Sequence, residues 1–408
     1  MTKQLKTIRT KKDIIVITPT FETKDTIKKV LKMIDKGLRK YYPKSDALII
    51  IADSSCPKTQ QFIKKICKGI KTHIELISRP PKGKGEALLY AFGVASKHNP
   101  KAVATIDSDL RSIKPDWIYL LLEPVLSGKS DFVSPNYLRH KYDGTITNML
   151  VYPICAAVFG RDIRQPIGGD FAFSGALVDF YLKKEGYTRE VERFGIDSWF
   201  TISAIVNKYR MMQANLGAKI HDASVKHPLF PENSIGKMFF EVTKTIFTLL
   251  MVYEDFWTKN KQILPVEFFG PEIQSTPEMV RLHFRPLWKA FKRTTAEYRD
   301  FWEKNLPKKQ FERIKFLLWV NIENYEFTQD LWADLVYDFA LLYRKAKTAE
   351  KRERIVEALV PLYLGRCACF ALEVKGMNEF EAEGKFKNLI RIFALKKHGF
   401  VRRWKEIK

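Results

Sequence analysis

The chain has 408 residues, 46% of them hydrophobic and 13% aromatic, and a formal net charge of +24. That composition can bury a full core and form two or three domains, so extensive disorder is excluded. Its five cysteines, Cys56, Cys67, Cys155, Cys367 and Cys369, form no CxxC pair, which argues against a disulfide framework or zinc site and for a reducing, cytoplasmic setting.

In chain order, β-branched runs at 14–18, 47–52, 74–77 and 102–106 read as strands. Between the first two, Ile27, Val30, Leu31, Ile34 and Leu38 recur at helical spacing; Phe62, Ile63, Ile66, Cys67 and Ile70 do so after the second. Strands alternating with amphipathic helices predict a parallel α/β sheet whose ligands gather at the strand C-termini. From 131 to about 227 strand-like runs mix with Gly-Gly and Asp-Gly turns, a mixed sheet suited to an acceptor. The apolar stripes Leu331, Leu335, Val336, Phe339, Leu342, Tyr343 and then Ile355, Val356, Leu359, Leu362 predict a helical C-terminal region. The expected division is 1–130, a nucleotide-binding half; 131–240, an acceptor-binding half; and 241–408, helical. Trp332, Phe339 and Tyr343 are candidate anchors for a homodimer, although such stripes more often form internal core. The apolar runs 14–17 and 246–253 are too short for a signal core or a membrane span, so no integral membrane segment is expected.

The sharpest local signal is Thr105-Ile106-Asp107-Ser108-Asp109, a buried strand running into two acids separated by one small residue. Such a pair can hold a divalent cation, and because side chains alternate along an extended chain, only one carboxylate need reach it. Lys82-Gly83-Lys84-Gly85 opens an amphipathic segment and puts backbone amides and lysines where anions bind. The Walker spacing is absent. Thr18-Pro19-Thr20-Phe21-Glu22 and Ala52-Asp53-Ser54-Ser55 follow strands and offer Thr20, Glu22, Asp53 and Ser54 to a base and ribose, or form plain turns. Downstream, Gln165-Pro166-Ile167-Gly168-Gly169-Asp170 places two glycines where a backbone bends or meets a ligand. Gly195-Ile196-Asp197 adds a carboxylate and His221 an imidazole, a third metal ligand if one is wanted. The positive field favours anionic substrates and membrane surfaces. No zinc-finger spacing, RNP-like motif or KH loop directs it to nucleic acid.

The order of these pieces resembles the retaining glycosyltransferases that make glucosylglycerate, mannosylglycerate and glucosyl-3-phosphoglycerate. The resemblance rests on Pro19, Gly83-Lys84-Gly85, Asp107-Ser108-Asp109, Gln165 to Asp170, Gly195-Ile196-Asp197 and Leu216 to His221, in that order. It implies a GT-A fold, a Rossmann-like mixed sheet that binds a nucleotide diphosphate sugar. It further implies Mg²⁺ or Mn²⁺ on Asp109 and His221, the nucleotide beside Pro19, Asp107 and Ser108, and the diphosphate on Lys84. Ile167 would present its carbonyl beside the anomeric carbon, and Asp197 would orient hydroxyls or, less favoured, act as nucleophile. Tyr137, Arg139, Thr145, Thr147, Asn148 and the amides of Gly168 and Gly169 are the implied acceptor contacts. The phosphoglycerate enzymes have an arginine where this chain reads Thr145, which favours D-glycerate over 3-phosphoglycerate. The expected reaction is glucose transfer from GDP-glucose or UDP-glucose to D-glycerate, yielding a compatible solute. Mannosylglycerate synthase, glucosyl-3-phosphoglycerate synthase, a polyprenyl-phosphate or polymer transferase, and a non-catalytic basic binding protein are the alternatives.

Overall fold

The computed structural model describes residues 11–78, 83–220, 231–273, 277, 279–280 and 284–407. The expected strands and helices form: β1 (Ile14–Thr20), α1 (Lys24–Tyr41), β2 (Ala47–Asp53), α2 (Pro57–Cys67), β3 (His73–Ser78), α3 (Lys84–Ser96) and β4 (Ala102–Thr105). β1 is buried along its whole length, with Ile15 and Ile17 in one core and Ile14 and Val16 in the other. A central parallel strand covered on both faces needs this unbroken apolar run.

Next come α4 (Asp116–Leu126), β5 (Phe132–Leu138), β6 (Arg161–Asp162), β7 (Phe171–Ser174), α5 (Gly175–Tyr181), α6 (Ile196–Val206) and β8 (Met211–Ala218). Two short strands, β9 (Leu264–Pro265) and β10 (Phe268–Phe269), follow later; β9 pairs with β6 in a separate ribbon. The eight-stranded sheet runs β10-β8-β5-β7-β4-β1-β2-β3. β7 lies antiparallel to both β4 and β5. Pairing Thr105 with Phe171 therefore brings the start of β7 to the C-terminal end of β4, the position that assembles the site.

The C-terminal helices are α7 (Pro231–Val252), α8 (Glu254–Trp257), α9 (Phe284–Asn305), α10 (Lys308–Trp319), α11 (Gln329–Lys345), α12 (Ala349–Glu373) and α13 (Glu379–Lys405). They share one continuous core with α3, α5 and α6 on a single face of the sheet, while α1 and α4 cover the other. The expected boundary at 240/241 falls inside α7, whose Phe239, Val242 and Ile246 all belong to that core. The proposed dimer anchors are likewise internal. Trp332, Phe339 and Tyr343 are buried, and the Trp332 indole donates to the Met149 carbonyl at 2.8 Å. Packing the helical region on the sheet consumes that stripe. Two π-helical turns, Thr147–Val151 and Ile154–Val158, had no counterpart among the predicted elements.

α12 is long and apolar enough to cross a membrane by length and composition, but 83% of its apolar window is buried inside the fold. It also holds the buried Arg366, which donates to the Phe327 carbonyl at 2.9 Å and pairs with Glu373 at 2.7 Å.

On α13, the buried Lys397 donates to the carbonyls of Val158 (2.8 Å) and Asn260 (2.7 Å), tying the last helix to the sheet domain. Burial pulls its ammonium down to about 8. Between that value and the ordinary lysine range of about 10.4 the unfolded chain binds the extra proton, so Lys397 makes stability rise with pH across this window. Below about 8 both states are protonated and its burial cost is fully present. Thermal melts across the window should show this slope in the wild type and its loss in Lys397→Met. Parallel slopes would contradict it.

Candidate functional site

The ends of β4, β5, β7 and β8 and the first turns of α3 and α6 converge on one carboxylate, Asp107. Lys84, the first residue of α3, places its Nζ 2.9 Å from Asp107 Oδ1 and 3.5 Å from Asp197 Oδ1. Lys219, just past β8, lies 3.2 Å from Asp107 Oδ2 and 2.9 Å from Asp170 Oδ2, and donates to the Gly168 carbonyl at 2.7 Å. The Asp107 amide donates to Asp170 Oδ1 at 2.8 Å, and the Tyr137 hydroxyl donates to Asp170 Oδ2. Sheet order explains this meeting: the antiparallel β7 delivers Asp170 between β4 and β5, and β8 beside β5 delivers Lys219.

Electrostatics follow from burial and these pairings. Burial favours the neutral form of Lys84, but Asp107 and Asp197 outweigh it and raise its pKa well above the lysine range. Burial likewise opposes charge on Asp107, and the two lysines still pull its carboxyl far below the carboxylate range. Lys219 is raised, with Asp170 and then Asp107 overcoming its burial. Burial raises Asp197, which Lys84 only partly offsets. Asp197 Oδ1 is buried and accepts no hydrogen bond among the described residues, with only the more distant Lys84 ammonium facing it. A buried, poorly satisfied carboxylate oxygen is the kind of group that marks a candidate functional site.

Close approach accounts for the two glycines of the Gly-Lys-Gly. A Cβ on Gly85 would stand 1.8 Å from the Val191 carbonyl oxygen, and the Glu86 amide donates to the Glu192 carbonyl at 2.9 Å. This contact packs the start of α3 on the turn leading to α6 and so sets Lys84 against Asp197. Gly169 (φ +86) makes the second close approach, where a Cβ would meet Asp107 Oδ2 at 2.1 Å.

Beyond this cluster, Pro19 and Thr20 pair in register with Ala52 and Asp53. The Thr20 hydroxyl donates to Asp53 Oδ1 at 2.6 Å, as does the Ser55 amide at 3.1 Å; Asp53 Oδ2 is buried and unpartnered among the described residues. The Ser54 amide donates to the Thr20 carbonyl. Glu22 is taken up locally, its two oxygens accepting from the Cys56 amide and the Thr59 hydroxyl, both at 2.6 Å, so it caps α2. Ser108 is buried, its carbonyl accepting from Thr26 at 2.8 Å, and Asp109 is half-buried.

Among the residues the resemblance implies for an acceptor, Arg139 pairs with Asp143 at 3.0 Å, and its Nε is buried without a partner among the described residues. Thr145 shares a 2.6 Å hydrogen bond with Tyr363, and Thr147 is buried in the first π-helical turn. Both ends of the Asn148 amide are committed: Nδ2 donates to the Asp143 carbonyl and Oδ1 accepts from Arg164. Asn148 thus shapes the 143–147 loop from behind. Ile167 is half-buried against the core.

His221 lies outside the described residues, and among those described no three His, Cys, Asp or Glu side chains cluster to hold a metal. Both Asp107 oxygens face lysines, which leaves Asp109 as the described candidate ligand. Asp170 and Lys219 were missed as site residues by sequence reasoning. The available signal was positional: each charged residue abuts a buried strand at the ligand-binding edge of the sheet.

Residues 15–185 match the family model described as glycosyl transferase family 2. None of the curated proteins matches the chain. Solved structures similar to it include glucosyl-3-phosphoglycerate synthase from Mycobacterium tuberculosis in complex with Mn²⁺, UDP and glucosyl-3-phosphoglycerate, at 23% identity over 60% of this chain and 80% of that one, with a TM-score of 0.45. The same enzyme with Mn²⁺, UDP and phosphoglyceric acid aligns at 24% identity, covering 58% and 78%, with a TM-score of 0.45. Its complex with Mg²⁺ and UDP gives 24%, 60% and 80%, and 0.44.

Proposed function

We propose, from the glycosyl transferase family 2 match as premise, that the chain is a retaining, metal-dependent hexosyltransferase of GT-A fold that moves glucose from GDP-glucose or UDP-glucose to D-glycerate. The observation that carries this reading is the convergence of Lys84, Asp107 and Asp197 at the strand ends, with one Asp197 oxygen accepting no hydrogen bond among the described residues.

In this reading the base enters beside Thr20, Asp53 and Ser54. Asp53 Oδ2 accepts a ring N–H, which both uracil and guanine offer. Asp107 and Ser108 take the ribose side, and Lys84 exchanges its bond to Asp107 for one to the diphosphate. Asp109 and His221 would hold Mg²⁺ or Mn²⁺, which when bound supplies positive charge to the leaving diphosphate. Lys84 adds a preorganised cation aimed at the same charge. Asp197 accepts a sugar hydroxyl and fixes the anomeric carbon near the Ile167 carbonyl. The acceptor's carboxylate meets Arg139 and the Gly168 and Gly169 amides, with Tyr137, Thr145 and Thr147 forming the wall behind. Its hydroxyl attacks from the face the nucleotide leaves and passes its proton to a diphosphate oxygen, so no protein nucleophile is required.

The test crosses a panel of nucleotide sugars with D-glycerate and 3-phosphoglycerate, with Mg²⁺, Mn²⁺ or EDTA. Product is expected with D-glycerate, with activity removed by EDTA and by Asp109→Ala. Transfer undiminished in both cases would refute the metal assignment. Intact nucleotide binding without transfer to either acceptor would refute the acceptor. Asp53→Asn should raise the donor KM about tenfold, equivalent to about 1.4 kcal/mol, because its amide would face the base N–H donor to donor. An unchanged donor KM would move the base elsewhere.

A further inference from the structure

Helix α10 buries Phe311, Ile314 and Leu317 in the core. Its opposite face carries Phe316 and Trp319, one turn apart and 63% and 80% exposed. At 100° per residue, Lys308, Lys309 and Glu312 share that face. Glu312, the sole acid of the helix, is tied to Lys315 at 2.8 Å. At the far end, Lys292 of α9 donates to the Val320 carbonyl at 2.9 Å, with its Nζ 4.3 Å from the Trp288 ring centroid, so basic charge borders Trp319 as well.

We propose that this face of α10 docks the protein on an anionic lipid bilayer. Phe316 and Trp319 enter the interfacial layer, and Lys308, Lys309 and Lys292 meet lipid phosphates. An amphipathic helix lying in a membrane interface combines an aromatic ridge with flanking lysines in this way. Charge selects the occupant: a molecule of net charge +24 is drawn to an anionic surface, whereas a second copy would set like charge against like. The bilayer is favoured over nucleic acid because two exposed aromatic side chains one turn apart on the outer face of a helix suit insertion into an interface, whereas a bound strand is tracked by a basic groove.

The experiment is flotation of the full chain with phosphatidylcholine vesicles, with and without phosphatidylglycerol, compared with Phe316→Ser/Trp319→Ser. Wild type is expected to float only with anionic vesicles, and the double variant to lose binding at least about tenfold with an unchanged circular dichroism spectrum. Brominated lipid should quench wild-type fluorescence more than that of Trp319→Phe, which reads insertion directly. Equal flotation of variant and wild type would assign binding to charge alone and overturn the proposal. It would also fall if vesicles are not bound, if light scattering shows a dimer lost in the double variant, or if the same variant instead loses binding to single-stranded DNA. These readouts do not depend on the transferase reaction.

Discussion

Lys219→Met is expected to destabilise the protein by about 3–5 kcal/mol, the usual cost of removing one partner from a buried ion cluster. The ammonium is buried beside Asp170 and Asp107 and also satisfies the Gly168 carbonyl, and methionine fills its volume without its charge. Among the described residues, the cations paired with Asp107, Asp170 and Asp197 are Lys84 and Lys219, so removing one leaves buried negative charge unmatched. Adding Asp170→Asn removes part of the excess. Urea unfolding of the two single variants and the double variant should therefore return a coupling free energy of at least about 1 kcal/mol, with the double variant less destabilised than the sum. Additive losses would mean that Lys219 acts through packing alone.

Lys84→Ala is expected to lower kcat about 10²–10³-fold, the range found when one preorganised donor to a developing oxyanion is removed. Two controls separate this from a merely structural loss. Nucleoside diphosphate binding should weaken while binding of the nucleoside alone is unchanged, since Lys84 is assigned to the diphosphate and not to the base. Thermal stability should fall less than in Lys219→Met, because the Lys84 side chain is 20% exposed and that of Lys219 only 4%. Unchanged kcat with weakened nucleoside binding would take Lys84 off the leaving group.

The order of motifs in the first half of the chain was legible because each is local. A buried parallel strand announces itself by an unbroken β-branched run, and the polar residues that follow it must lie at the sheet's ligand-binding edge. Thr20, Asp53 and Asp107 stand at strand ends as that pattern expects, and Lys84 opens a helix as its Gly-Lys-Gly setting expects. Glu22 looks the same in sequence, and only its hydrogen bonds to the start of α2 show it serving as a cap.

The sequence by itself determined the first four strands, the helices between them, the α/β class and the helical C-terminal region, since these follow from periodicity over a few residues. Only the tertiary structure decided that β7 turns antiparallel between β4 and β5, and hence that Asp170, Tyr137 and Lys219 close around Asp107. Strand order depends on pairings between residues far apart in the chain, such as Thr105 with Phe171, and no local pattern encodes them. The same reason turned the aromatic stripe of α11 inward to the core and left Phe316 and Trp319 of α10 facing out: periodicity shows that a helix has an apolar face, while packing decides what covers it.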